Sequence, residues 1–326
     1  MPQSKKMAVR AYLLILALTC AQIHAQRIMK TPPYLKKGDT VAIIATARKI
    51  DLASLQPGIK LLESWGLKVV LGRSIGKEEN QLAGPDWLRA TDLQEMLDNP
   101  SISAIWAAKG GYGTVRIIDR VDFKNFAKNP KWLIGFSDVT VLHSHANNLG
   151  IESLHAMMAI STVNATEDAK NTLKQALFGE KIEYQISGHP FNRSGEASGE
   201  LVGGNLSVLY SIMGSESQVD YKGKVLFIED LDEYLYHIDR MMMNLKRNGW
   251  FKDLKAVIVG GMTSMNDNEI PWGKDALEIV RDIFKDYKFP VIYNFPAGHV
   301  KDNRAMIFGR NVHVEVHSSG SSVKFD

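Results

Sequence analysis

Short apolar runs alternate with amphipathic stretches through the first half of the chain. Thr40-Val41-Ala42-Ile43-Ile44-Ala45 is too short for a helix and rich in β-branched residues, which marks a buried strand. From Leu55 to Trp65 apolar residues recur at helical spacing and stop at Gly66. Leu67–Leu71 predicts the next strand, Asp86–Leu97 a helix ending before Asn99-Pro100, and Ile102–Ala107 another strand. A helix is expected through Ile117-Ile118, a strand at Trp132–Ile134, and a helix from about Asp138 to Asn148. Strands alternating with helices predict βαβ units and an α/β fold built on a parallel sheet. Ligands of such sheets sit at the carboxyl ends of the strands. Two loops directly follow strands there: Lys109-Gly110-Gly111-Tyr112-Gly113 and Gly135-Phe136-Ser137-Asp138.

Between Phe178 and Ser198 the helical period fades, and Gly179, Gly188-His189-Pro190 and Gly195 interrupt the chain. This predicts a linker over 179–198, between a first unit at 26–178 and a second at 199–326. The second unit mixes strands at Lys224–Ile228, Ala256–Val259 and Val291–Tyr293 with helices near Tyr236–Asn248 and Lys274–Phe284. It ends in short strands between Ala305 and Phe325.

The N-terminus has a different pattern. Lys5, Lys6 and Arg10 precede the apolar run Ala11–Leu18, and Ile23-His24-Ala25 ends on a small residue. That order predicts a secretory signal peptide cleaved after Ala25, hence export to the periplasm. The apolar run is shorter than the roughly 20 residues a membrane span needs, so stable insertion is not expected. Lipidation at Cys20 is the competing reading, and Leu18 and Thr19 fit it poorly. The segment also accounts for the net charge of +3. Residues 1–25 hold three of the 39 Lys and Arg and none of the 36 Asp and Glu, so the remainder balances at 36 of each sign. No basic run remains that would recognise nucleic acid. Cys20 is the single cysteine, so a chain cleaved after Ala25 has no disulfide, thiol nucleophile or thiolate metal site.

Candidate chemistry gathers at the strand ends. Ser137 lies on a strand-to-helix turn, as in a nucleophile elbow, although Val139 stands where the G-x-S-x-G pattern has its second glycine. Ser137 also suits a plain helix cap. The glycines of 109–113 let backbone N–H groups approach a ligand, and a simple turn reads the same way. Glu229, Asp230, Asp232 and Glu233 follow an apolar strand but lack the alternating, glycine-containing pattern of a hard-cation loop. His299 follows Pro296-Ala297-Gly298 at another strand end. Of the nine histidines, His143 and His145 lie two apart on a helix, a poor metal pair, and no H-E-x-x-H spacing occurs. No metal and no cofactor are expected.

Together these segments resemble a known family. Lys109–Gly113, Ile134–Asp138, His155, Gly203-Gly204-Asn205-Leu206, Val225–Asp230, Ile238-Asp239-Arg240-Met241 and Pro296–His299 occur in the order seen in the L,D-carboxypeptidase (muramoyltetrapeptide carboxypeptidase) family of serine peptidases, which also contains microcin C self-immunity peptidases. The resemblance spans about Leu35 to Val316. It implies a parallel-sheet N-terminal domain of the Rossmann or flavodoxin-like kind and a β-rich α/β C-terminal domain. It implies Ser137 as nucleophile, Glu229 as charge-relay acid and His299 as base, with D-alanine removed from a peptidoglycan stem tetrapeptide. An oxyanion hole from the N–H of Asp138 and of Gly110 or Gly111, a substrate-carboxylate cation at Lys109 or Arg240, and a homodimer follow from the same comparison. Three departures stand out: Lys109 replaces the usual Arg, His155-Ala156 replaces His-Gly, and the signal segment is absent from the family's cytosolic members. Cleavage of a peptidyl or aminoacyl nucleotide and non-catalytic periplasmic binding are the alternative functions.

Overall fold

The computed structural model describes residues 29–326. The expected signal segment 1–25, with Ala25 and Cys20, lies outside them. Five strands open the chain: β1 (Thr40–Ile44), β2 (Lys68–Leu71), β3 (Ala104–Ala107), β4 (Trp132–Gly135) and β5 (Ser153–His155). Eight follow: β6 (Glu183–Ser187), β7 (Gly195–Asn205), β8 (Val225–Leu231), β9 (Ala256–Thr263), β10 (Val291–Ile292), β11 (Met306–Phe308), β12 (Asn311–Val316) and β13 (Gly320–Phe325). They form a six-stranded sheet ordered β11-β5-β4-β3-β1-β2 and a seven-stranded sheet ordered β10-β9-β8-β7-β12-β13-β6. The first is parallel except for β11. The second is parallel from β10 to β7 and antiparallel from β7 to β6. This is the expected α/β fold.

Strand alternation divides the core into three layers. In β1, Val41 and Ile43 enter one cluster while Ala42 and Ile44 enter another; in β8, Val225 and Phe227 separate likewise from Leu226 and Ile228. The middle cluster holds Val41, Trp106 and Leu154 from the first sheet together with Leu201, Phe227 and Ile258 from the second. The two sheets therefore share one apolar layer. Each fully buried side chain of this size contributes roughly 1.5–3 kcal/mol. Behind the second sheet, Ile238, Met241 and Leu245 of helix Leu235–Arg247 pack with Ile279 and Val280 of helix Ala276–Phe284.

Three expectations change. The segment 179–198 is not a bare linker, because it holds β6 and the start of β7, which pair with β13 and β12. Its glycines and polar residues obscured half-buried antiparallel strands. The division at residue 199 is also crossed: β11 leaves the second unit and pairs with β5, Met306 opposite His155. The helix expected through Ile117-Ile118 is a pair of 3₁₀ turns, Thr114–Arg116 and Ile118–Arg120. The N–H groups at the start of this segment, on Gly113 and Thr114, donate to the Asp138 carboxylate, a tertiary contact that local periodicity does not reveal.

Candidate active site

Ser137 stands two residues past β4, in the left-handed backbone region with φ +59°. That region costs a non-glycine residue about 1–3 kcal/mol and persists where neighbouring structure enforces it. A 3₁₀ turn, Ser137–Val139, leads into helix Thr140–Asn148. Among the described residues no side chain caps the start of this turn or of that helix. The Ser137 hydroxyl instead meets His299 Nε2 at 3.1 Å. Val139, where the elbow pattern has glycine, occupies the space beside Gly135: a Cβ there would lie 2.9 Å from Val139 Cγ2.

His299 lies past β10, in a loop held at both ends. Gly298 N–H donates to Asn303 Oδ1 at 2.9 Å, and Thr263 Oγ1 donates to the His299 carbonyl at 3.2 Å. Glu229 comes from β8, where the register against β9 shifts between Ile228 and Asp230. Such an irregularity re-aims a side chain. Glu229 Oε2 accepts from His299 Nδ1 at 2.7 Å and from the His299 backbone N–H at 3.1 Å. With Nδ1 donating, Nε2 is left to accept the Ser137 proton. Gly298 is required by this contact, since a Cβ there would lie 2.6 Å from Glu229 Oε2. Glu229 is fully buried, and its Oε1 has no hydrogen-bond partner among the described residues.

Charge around the imidazole favours its protonated form. Burial pulls the His299 pKa down, but the Glu229 hydrogen bond and charge, with the Asp230 charge, more than offset it, and the net direction is upward. Asp230 faces the other way, accepting from Asn205 Nδ2 at 2.8 Å and Ser207 N–H at 2.9 Å. Burial, then the neighbouring Glu229 charge, raises its pKa to about 7. Asn205 N–H in turn donates to Thr140 Oγ1 at 3.0 Å, which ties the Gly203–Leu206 segment to the helix after Ser137.

The glycine loop packs on Ser137. A Cβ on Gly110 would lie 3.5 Å from Ser137 Cβ. Among the described residues, the N–H groups of Gly110, Gly111 and Asp138 donate to no protein acceptor. The Asp138 carboxylate, also buried, accepts from Gly113 N–H at 3.3 Å, Thr114 N–H at 2.9 Å and Thr114 Oγ1 at 2.5 Å. Buried Arg89 donates to the Gly113 carbonyl at 2.9 Å and to the Thr46 carbonyl, and pairs with Asp86. Lys109 is half-buried and has no ion pair or hydrogen bond among the described residues. Arg240 is exposed on helix Leu235–Arg247, its guanidinium 5.0 Å from the Tyr236 ring centroid; among the described residues no hydrogen bond or ion pair joins it to Ser137, Glu229 or His299. His155 is fully buried among Phe136, Phe227 and Phe308, with neither ring nitrogen bonded, and burial drives its pKa far down.

Sequence reasoning passed over Arg89 and Thr114. Arg89 left one signal: it lies on the helix stripe of Leu93 and Met96, an apolar face that a solvated arginine avoids. The single cluster with metal-ligand geometry among the described residues is Glu196, His313 and Glu315, on β7 and β12. It includes none of Ser137, Glu229 and His299.

Two family models match this chain, "LD-carboxypeptidase N-terminal domain" over residues 41–156 and "LD-carboxypeptidase C-terminal domain" over residues 198–314. A Bacillus subtilis (strain 168) protein named "Probable murein peptide carboxypeptidase" is 36% identical over 289 residues, covering 85% of this chain and 89% of that protein. The "Murein tetrapeptide carboxypeptidase" of Pseudomonas aeruginosa is 28% identical, over 84% of this chain and 92% of that protein. The crystal structure of muramoyltetrapeptide carboxypeptidase from Oxalobacter formigenes superposes with a TM-score of 0.81 at 25% identity, covering 88% of this chain and 98% of that one. With both domain models matched in order and one relative above a third identical, the chain belongs to the LD-carboxypeptidase family and is a peptidase.

Proposed function

We propose that this protein is an exported serine L,D-carboxypeptidase that removes the terminal D-alanine from peptidoglycan stem tetrapeptides. The observation that carries the serine mechanism is the continuous path from Glu229 through the His299 ring to Ser137 Oγ, ending on a serine held in the left-handed region. The names of the relatives, a murein tetrapeptide carboxypeptidase and a muramoyltetrapeptide carboxypeptidase, support the substrate. Export rests on the pattern of residues 1–25 alone.

In this mechanism His299 Nε2 takes the Ser137 proton as Oγ attacks the scissile carbonyl. Glu229 orients the ring through Nδ1 and stabilises the imidazolium that forms. The oxyanion is received by the N–H of Asp138 and one N–H from Gly110 or Gly111. The imidazolium then protonates the departing amine, D-alanine leaves, and water, deprotonated by the same ring, releases the acyl group from Ser137. The test is D-alanine release from a stem tetrapeptide by wild type and Ser137→Ala, with thermal melts as the folding control. The variant is expected to fold and to lose at least about 10⁴-fold in kcat. A folded Ser137→Ala protein releasing D-alanine near the wild-type rate ends the serine-peptidase reading.

A further inference from the structure

The loop after β1 brings an arginine to the glycine loop. The Arg48 N–H donates to the Gly110 carbonyl at 3.4 Å, and the side chain then runs across Gly111. A Cβ on Gly111 would lie 2.4 Å from Arg48 Cδ and 2.6 Å from its Nε. Gly111 has φ +106° and Gly110 lies against Ser137, so Arg48, Gly111, Gly110 and Ser137 form one contiguous patch. Among the described residues, no carboxylate or carbonyl accepts from the Arg48 guanidinium. Its neighbours differ: Lys49 pairs with Glu78 at 3.0 Å, and Arg116 with Asp86 at 2.8 Å. An unneutralised guanidinium laid along a loop of free N–H groups makes a local field that attracts an anion.

A carboxypeptidase substrate carries such an anion at a fixed place. The terminal carboxylate lies one residue beyond the scissile carbonyl, and one residue spans at most about 3.6 Å. With the carbonyl at Ser137, the carboxylate must fall within reach of a side chain packed on the adjoining loop. Arg48 packs on Gly111 of that loop, and its planar fork matches a carboxylate with two parallel hydrogen bonds. Lys109 offers a point charge rather than a fork, and Arg240 is stacked on Tyr236. We infer that Arg48, held across Gly111, binds the carboxylate of the leaving residue and makes the site an exopeptidase rather than an endopeptidase. This rests on the carboxypeptidase reading above.

The experiment compares a stem tetrapeptide ending in D-alanine with the same peptide ending in D-alanine amide. Wild type is expected to prefer the acid. Arg48→Gln, which keeps part of the aliphatic stem over Gly111, is expected to lower kcat/KM for the acid about 10- to 100-fold, as loss of a charge-assisted pair does. Turnover of the amide should hardly change, so the acid-to-amide preference collapses; Arg48→Lys should restore part of it. An Arg48→Gln protein that keeps the wild-type preference overturns the assignment, as does collapse in Lys109→Gln instead. Calorimetric binding of both peptides to Ser137→Ala and to Ser137→Ala/Arg48→Gln reads the subsite without turnover. Tighter binding of the acid that vanishes in the double variant supports the proposal, and equal binding of acid and amide to Ser137→Ala refutes it. If wild type cleaves neither peptide, the carboxypeptidase reading falls, and the binding comparison alone decides the fate of Arg48.

Discussion

The two halves of the candidate site are held in different ways. On the Ser137 side, support is distributed. The Asp138 carboxylate gathers Gly113 and Thr114, Arg89 holds the Gly113 carbonyl from behind, and His143 bridges the Gly135 carbonyl and Ser153 Oγ, both at 2.9 Å. On the His299 side, Asn303 and Thr263 hold the loop, but the imidazole itself depends on one carboxylate oxygen, Glu229 Oε2, which holds both the ring and the backbone N–H of His299. A serine kept at a strained backbone angle needs many restraints, because any slack lets it relax. An imidazole needs orientation and a compensating charge, and one carboxylate supplies both. The Ser137 side should therefore degrade by degrees, while the His299 side should fail at a single atom.

Glu229→Ala tests that contrast most severely. It should lower kcat by about 10³- to 10⁴-fold, whereas Glu233→Ala, whose carboxylate is engaged by His237 at 2.6 Å, should do far less. Steady-state kinetics of the two variants decide it, and the reverse ranking would remove Glu229 from the relay. Asp138→Ala should be milder. Loosening the glycine loop should lower kcat by about 10- to 100-fold, with partial recovery in Asp138→Asn, which can still accept from Thr114.

Acidity gives a smaller effect with a definite sign. In the proposed mechanism His299 acts as a base when neutral, and its pKa is raised above the ordinary 6.5, so kcat/KM should fall as pH drops through a midpoint above that value. Asp230→Asn removes one of the charges that raise His299, so the midpoint should move to lower pH; a pH–rate profile with an unmoved or raised midpoint would contradict this. The smallest change is expected in Thr114→Val, which removes one of several bonds around Asp138. Its cost should be about 1 kcal/mol of stability in denaturant melts, with kcat nearly intact.

Legibility in the sequence follows burial. β1, β3 and β4 are buried along nearly their whole length, and an unbroken apolar run announces such a strand. β7 was hidden because its glycines serve distant partners: a Cβ on Gly204 would lie 2.4 Å from Thr140 Oγ1. Ser137, Glu229 and His299 could each be placed near a strand's carboxyl end, but only the order of motifs selected them from other serines, acids and histidines. Arg48 gave no such sign. Its relation to Gly111 depends on β1 and β3 lying side by side, with Ile44 opposite Ala107, a pairing that no local pattern specifies.

The return of β11 to β5 bears on how the molecule is made. The sheet that presents the serine remains open along its β5 edge until Met306–Phe308 has been synthesised, a few residues after the base itself. A nascent chain stopped anywhere before His299 has Ser137 but neither the imidazole that meets it nor the edge strand of its sheet. Completion of the first sheet and arrival of the base thus depend on the same late stretch of polypeptide. Pairing residues so distant along the chain is slow, so folding should be concluded after synthesis rather than unit by unit during it.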